Sequence, residues 1–285
     1  MDKCPTNIAA SVKQRLLDLA RREGRVFDIV LVRYALERLL YRLSRSAYRD
    51  RFILKGGMLV TLWVEGSNRE TRDADFLGFG NSDASNLRQS FAEIMAMKAE
   101  DGLRFDTDAL TATTIRDDME YGGIRLRTSA YLERTRIPVT LDIGFGDALH
   151  DTSQQIEYPS LLGMETSNIR AYPPATVIAE KFQAIVALGI ANGRMKDYYD
   201  LWAIPKALAI PHDELDRAIK ATFERRQTAI PAHRPPGLSD LKVNDPLALQ
   251  RWRAYAGSLD IPGLALKEVC DAIWATVAPT CSRLC

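Results

Sequence analysis

Histidine and cysteine are scarce in this chain, at three and four among 285 residues. The cysteines, Cys4, Cys270, Cys281 and Cys285, stand near the chain ends, and none forms a C-x-x-C pair. With only His150, His212 and His233 to help them, a zinc site is not expected. Free thiols of a reducing compartment fit better. No apolar run approaches the roughly 18 residues that span a bilayer. The opening residues, MDKCPTNIAA, lack an apolar signal core. These absences lead us to expect a cytoplasmic protein with no membrane partner. An excess of charge is missing too: the formal net charge is +1. What is abundant is arginine, 28 of the 38 basic residues, often in close pairs such as Arg21/Arg22, Arg125/Arg127 and Arg134/Arg136. Guanidinium groups suit bidentate phosphate contacts, and a neutral protein can still carry a basic groove; a solvated surface is the other reading.

Apolar periodicity predicts helices over 8–23 and 27–45. RFILKGG reads as a strand ending in a glycine turn, MLVTLWVEG as a short helix closed by Gly66, and TRDADFLGFG as a strand. A helix over ASNLRQSFAEIMAMKAE follows, then two or three strands over 103–131 and a strong strand in IPVTLDIGFGD. Beyond YPPAT the chain reads as helical, with one helix over 175–190 and another over 195–204 ended by Pro205. The segment EYPSLLGMETSNIRAYPPAT reads as a boundary. This order predicts an α+β fold. Its parts are N-terminal helices over 1–47 packed on the core, a core over 48–160, and a helical C-terminal domain over 161–285.

Several residues stand out chemically. Asp73 and Asp75 lie two apart on a predicted strand, so their carboxylates share a face. Such a pair needs a cation, and hard oxygen ligands suit Mg²⁺. Asp142 interrupts an apolar strand; its parity with Thr140 and Gly144 leaves solvent exposure open. If its strand lies beside that of Asp73, three carboxylates converge. Gly56 and Gly57 follow a strand and precede a helix, where backbone N–H groups can cradle phosphate beside Lys55. Lys181 falls within the apolar stripe Val177, Ile178, Ile185 and Leu188, which demands a partner or a snorkelling stem. In GRMKDYYDLW, Asp197 and Asp200 share a helical face, and Arg194 and Lys196 sit at the helix start, where cations oppose the macrodipole unless an anion arrives or Asp200 pairs with Lys181.

LKGGM with RDADFLG, VTLDIGFGD, VIAEKFQAIV and GRMKDYYDLW together resemble the AbiEii-type nucleotidyltransferases. These are toxins of abortive-infection and toxin–antitoxin systems within the DNA polymerase β-like superfamily. The resemblance covers about residues 50 to 205. It implies a polymerase β-like core, a mixed sheet with helices, that transfers a nucleoside monophosphate from an NTP to RNA. For some members the acceptor is the tRNA 3′ end, and the outcome is a block of translation and growth. It implies Mg²⁺ or Mn²⁺ held by Asp73, Asp75 and Asp142, and phosphate contacts from Lys55, Gly56, Gly57, Arg194 and Lys196. Lys181 would neutralise phosphate charge, and the C-terminal domain would contribute Lys181 and Asp200 to the site. Asp200, with Asp197, would orient Lys181 or Arg194. A cognate antitoxin is implied by the family alone. One departure is Gly56-Gly57-Met58 where the superfamily turn is usually Gly-Ser; any hydroxyl contact is lost and Lys55 would have to compensate. The competing readings are a D-x-D glycosyltransferase using a nucleotide sugar, which would not need the Lys-Gly-Gly turn, and a catalytically dead fold that binds RNA or protein.

Overall fold

A computed structural model describes residues 7–64, 66, 68–115, 122–146 and 153–285. The chain divides into two compact units. The first holds the residues up to Leu59, Glu70–Gly146 and Ser153–Ala171; the second holds Val60–Arg69 and Tyr172–Cys285.

The first unit opens with α1 (Ile8–Glu23) and α2 (Phe27–Arg45). Asn7 caps α1 by accepting from the Ala10 N–H, and Gly24 closes it in the left-handed conformation at φ 63°. β1 (Phe52–Lys55), α3 (Gly57–Trp63, which belongs to the second unit from Val60 on), β2 (Ala74–Gly78) and α4 (Ala84–Ala96) come next. Then follow β3 (Leu103–Phe105), β4 (Thr111–Ile115), β5 (Gly123–Leu132) and β6 (Thr135–Phe145). β7 (Gln154–Tyr158) and β8 (Ser167–Ala171) complete one mixed sheet in the order β3-β5-β6-β2-β1-β8-β7, with β4 on β5. The fold is therefore α+β, as the element pattern predicts.

The two faces of this sheet differ. Phe52 on β1 and Phe76 on β2 meet Phe91 of α4, with ring centroids 4.8 and 6.0 Å apart, and α2 packs on β6 and β8. β6 shows why: Ile137, Val139, Leu141 and Ile143 are buried, while Arg136 and Pro138 are exposed and Thr140 and Asp142 half-buried. A period of two thus sends the apolar set to the helices and the polar set to the other face. α2 is buried almost along its length, polar residues included. Arg38 and Arg42 both grip the buried Asp101 carboxylate, with Arg38 Nε at 3.2 Å and Arg42 Nη1 at 2.5 Å.

The second unit is helical: α5 (Pro174–Leu188), α6 (Met195–Ala207), α7 (His212–Arg225), α8 (Asp240–Val243), α9 (Pro246–Ser258) and α10 (Leu266–Leu284). α5 packs on α6 and α7, and Phe182 meets Phe223 at 5.5 Å. Cys270 and Cys281 are buried free thiols, Cys285 is an exposed one, and Cys4 lies outside the described residues.

The division between Ala171 and Tyr172 falls inside the stretch read as a boundary, which also holds β8, paired in parallel with β1; short strands between prolines and glycines carry little periodic signal. Three sequence expectations need correction. Asp73 precedes β2, which begins at Ala74, so it is not a strand residue. Pro205 lies inside α6 and does not end it. Being in the last turn, it forfeits only one terminal backbone bond. Finally, Pro174–Ala191 is long and apolar enough to cross a membrane by length and composition, although 44% of it is buried inside the fold. Val177, Ile178, Phe182 and Ile185 are core residues, Leu188 and Ile190 are exposed, and Glu180 and Lys181 interrupt the run.

Candidate functional site

On the sheet face turned away from α2 and α4, the strand register lines up four ionisable side chains. Lys55 on β1 pairs with Asp75 on β2, Asp75 with Asp142 on β6, and Asp142 with Arg125 on β5. Residues facing each other across neighbouring strands project to the same side. The row therefore reads cation, carboxylate, carboxylate, cation, and all four members are half-buried. Two adjacent carboxylates repel, and the flanking cations offset that repulsion.

Gly56 follows Lys55 at φ +71°, a left-handed value that disfavours side chains. A Cβ there would lie 2.0 Å from Asp75 Oδ2. The missing side chain thus makes room for the Asp75 carboxylate, a role the sequence alone does not reveal. Gly57 begins α3. Asp73, one residue ahead of β2, accepts a hydrogen bond from the Thr71 hydroxyl at 2.8 Å.

Asp142 is engaged at both oxygens. Arg125 Nε donates to Oδ1 at 2.6 Å and Arg125 Nη2 to Oδ2 at 2.5 Å. Such a forked, charge-assisted pair is among the stronger polar contacts available. Among the described residues, no group of three or more His, Cys, Asp or Glu side chains is placed to hold a metal ion. The three-acid convergence is therefore not preformed: Arg125 takes up Asp142, and Asp73 stands outside the strand. Asp73 and Asp75 supply hard carboxylate oxygens, the donor type that a Mg²⁺-type cation takes.

A second cluster lies within the helical unit. Lys181 on α5 reaches Asp197 Oδ1 at 2.6 Å and Asp200 Oδ2 at 2.8 Å, both on α6. Arg69 makes a forked pair with Asp200, at 2.9 and 3.1 Å. Arg194 Nε comes within 2.8 Å of Asp197 Oδ2 without the alignment of a hydrogen bond. Asp200 is fully buried and Lys181 nearly so. Burial alone would neutralise them, yet each holds its charge. For Asp200, desolvation is outweighed by Lys181 and then Arg69, which hold its carboxyl below the ordinary range. For Lys181, desolvation is outweighed by Asp200 and then Asp197, which hold its ammonium above its ordinary value. These contacts join three cations, Lys181, Arg69 and Arg194, to two carboxylates. Lys196 is exposed on the first turn of α6 and belongs to none of these pairs.

Lys55, Gly56, Asp75 and Asp142 are thus gathered in one unit, and Lys181, Arg194, Asp197 and Asp200 in the other. Sequence reasoning singled out neither Arg69 nor the pairing of Arg125. Arg125 had a faint signal, an arginine of matching parity on an alternating strand; Arg69 sits in a loop with no periodicity to mark it.

No curated protein matches this chain. Among solved structures it is similar to JHP933 from Helicobacter pylori, at 14% identity and a TM-score of 0.45, covering 88% of this chain and 90% of that one. It is also similar to a "putative nucleotidyltransferase" from H. pylori, at 15% identity and a TM-score of 0.46, covering 90% and 95%. The protein-family model for the nucleotidyl transferase AbiEii toxin of Type IV toxin–antitoxin systems matches residues 38–273. The chain belongs to the AbiEii nucleotidyltransferase toxin family.

Proposed function

We propose that this protein transfers a nucleoside monophosphate from an NTP to the 3′ hydroxyl of an RNA acceptor, with tRNA as the acceptor and arrested growth as the outcome. The observation that carries this reading is the row Lys55, Asp75, Asp142 and Arg125, with Gly56 opening space for Asp75. In this reading Lys55 and the Gly56-Gly57 turn bind the triphosphate. Asp73 and Asp75 would hold the divalent cation, which when bound supplies Lewis-acid stabilisation of phosphate charge. The acceptor hydroxyl attacks the α-phosphorus; a new P–O bond forms, the α–β bridging bond breaks, and pyrophosphate leaves. Asp142 is the carboxylate offered to the attacking hydroxyl, which requires Arg125 to release it, and a guanidinium so released can follow the phosphate charge.

Lys181 keeps the role the family pattern gives it, an ammonium offered to phosphate charge, with Asp197 and Asp200 keeping it protonated and oriented. Arg194 and Lys196, at the start of α6, offer further charge to an anion. A cognate antitoxin is the protein partner this family membership carries.

The test is incubation with total RNA and each α-labelled NTP in turn. Wild type labels an RNA band with one or more NTPs, and Asp73→Ala and Asp75→Ala abolish both labelling and growth arrest. Full labelling by either variant would refute the assignment. A lack of thermal shift with any NTP and Mg²⁺ would favour a binding module instead.

A further inference from the structure

Beside the acid row, the same sheet face carries a groove of about 570 Å³ lined by residues of β4, β5 and β6. β2 covers β6 only from Leu141 to Phe145, so the preceding half of β6 continues alongside β5. Pro138 sits in that half, where its missing N–H costs no bond to β2. The register extends the row of ionisable groups into the groove: Thr111 faces Arg127, Arg127 faces Thr140, and Ser129 faces Pro138. Arg127 and Arg136 are exposed. Arg136 is aimed by a hydrogen bond from its Nε to Ser129 Oγ at 2.8 Å. Among the described residues, no acidic side chain lines the groove. Thr140 is two residues from Asp142, or about 7 Å along the strand, close to the reach of one nucleotide.

We propose that this groove is the seat of the acceptor's sugar-phosphate backbone, with Arg127 and Arg136 as its phosphate ligands and the Thr111 and Thr140 hydroxyls as further contacts. The proposal rests on the nucleotidyl-transfer reading and adds the place where the acceptor strand lies. Two guanidiniums with no acid among the described lining residues suit a polyanion, and the bond to Ser129 draws the Arg136 head group to within two residues of Arg127 along β5, about 7 Å, the step between neighbouring phosphates. Hydroxyls beside them suit phosphate oxygens and ribose. Among the described residues the lining has no aromatic side chain on which a base could stack, so the contacts expected are to the backbone and the groove should hold RNA with little regard to sequence.

The experiment measures anisotropy of a labelled single-stranded RNA 12-mer against the full chain from 50 to 200 mM salt, alongside the thermal shift with NTP and Mn²⁺. For R127Q/R136Q we expect at least a tenfold loss of RNA affinity. The slope of log affinity against log salt should flatten by about 1.4, for two single-strand phosphates. R127K/R136K should recover most of the affinity, and R21Q/R22Q, two exposed charges on α1, should lose little. The NTP shift should be unchanged in all three. If R127Q/R136Q binds RNA with wild-type affinity and salt slope, the groove assignment falls while nucleotidyl transfer stands. If wild type neither shifts with NTP nor labels RNA, the transfer reading falls, and the groove is judged on anisotropy alone.

Discussion

Replacing Gly56 with alanine tests the core geometry by adding one methyl group. Two costs arise, and they can be separated. The first is conformational, since a Cβ at φ +71° costs about 1–2 kcal/mol. The second is steric: the new Cβ would meet Asp75 Oδ2 at 2.0 Å, Cγ at 2.7 Å and Cβ at 2.9 Å. Contacts under 3.0 Å force a shift, so the carboxylate oxygen must retreat by about 1 Å, and the overlap with Asp75 Cβ means that rotation alone cannot relieve it. A displacement of about 1 Å in a reacting group can cost about 10²-fold in rate, equivalent to roughly 2.7 kcal/mol of barrier. Gly24→Ala is the matched control, because Gly24 has φ +63° with nothing within 4 Å of a built Cβ. Urea denaturation and the initial rate of label incorporation should be measured for both. Gly24→Ala should lose about 1–2 kcal/mol of stability and keep its rate. Gly56→Ala should lose at least that much stability and about 10²-fold in rate, falling between wild type and Asp75→Ala. A Gly56→Ala rate within threefold of wild type would show that the position of the Asp75 carboxylate does not matter to the chemistry.

Asp200→Asn leaves Arg69 and Lys181 without the carboxylate they share, and should destabilise the helical unit by about 3–5 kcal/mol in urea denaturation; a loss below about 1 kcal/mol would refute a buried ion cluster. The pH dependence follows from the two shifts. Because the folded Asp200 carboxyl lies below its ordinary 3.8, its contribution is full above that value and disappears as pH falls through the lower, folded one. Because the folded Lys181 ammonium lies above its ordinary 10.5, its contribution is full below that value and is lost as pH rises beyond it. Stability from this pair should therefore be flat from about pH 4 to 10, and Asp200→Asn should weaken the acid limb of the curve. Asp101→Ala strands Arg38 and Arg42 in the core beneath α2 and should cost about 3–5 kcal/mol, read by the same denaturation. Thiol labelling at pH 7 should spare Cys270 and Cys281, whose thiols burial pushes up to about 12 and about 11, and should modify the exposed Cys285.

Local chemistry determined much of this protein. The spans of α1 and α2 follow from apolar spacing, with Gly24 stopping the first of them. The alternation in β6 already placed Asp142 opposite its apolar neighbours. Lys181 was legible as an inward lysine because a helix shows its apolar stripe in the sequence. Tertiary structure alone decided which strands are neighbours, and hence that Asp75 stands beside Asp142, between Lys55 and Arg125. It also brought Arg69 to Asp200, 131 residues away, and set β8 against β1. The reason is physical. Periodicity records which face of an element is buried, a property of neighbours in the chain, whereas register and buried ion pairs depend on groups that meet only once the whole sheet and bundle have closed.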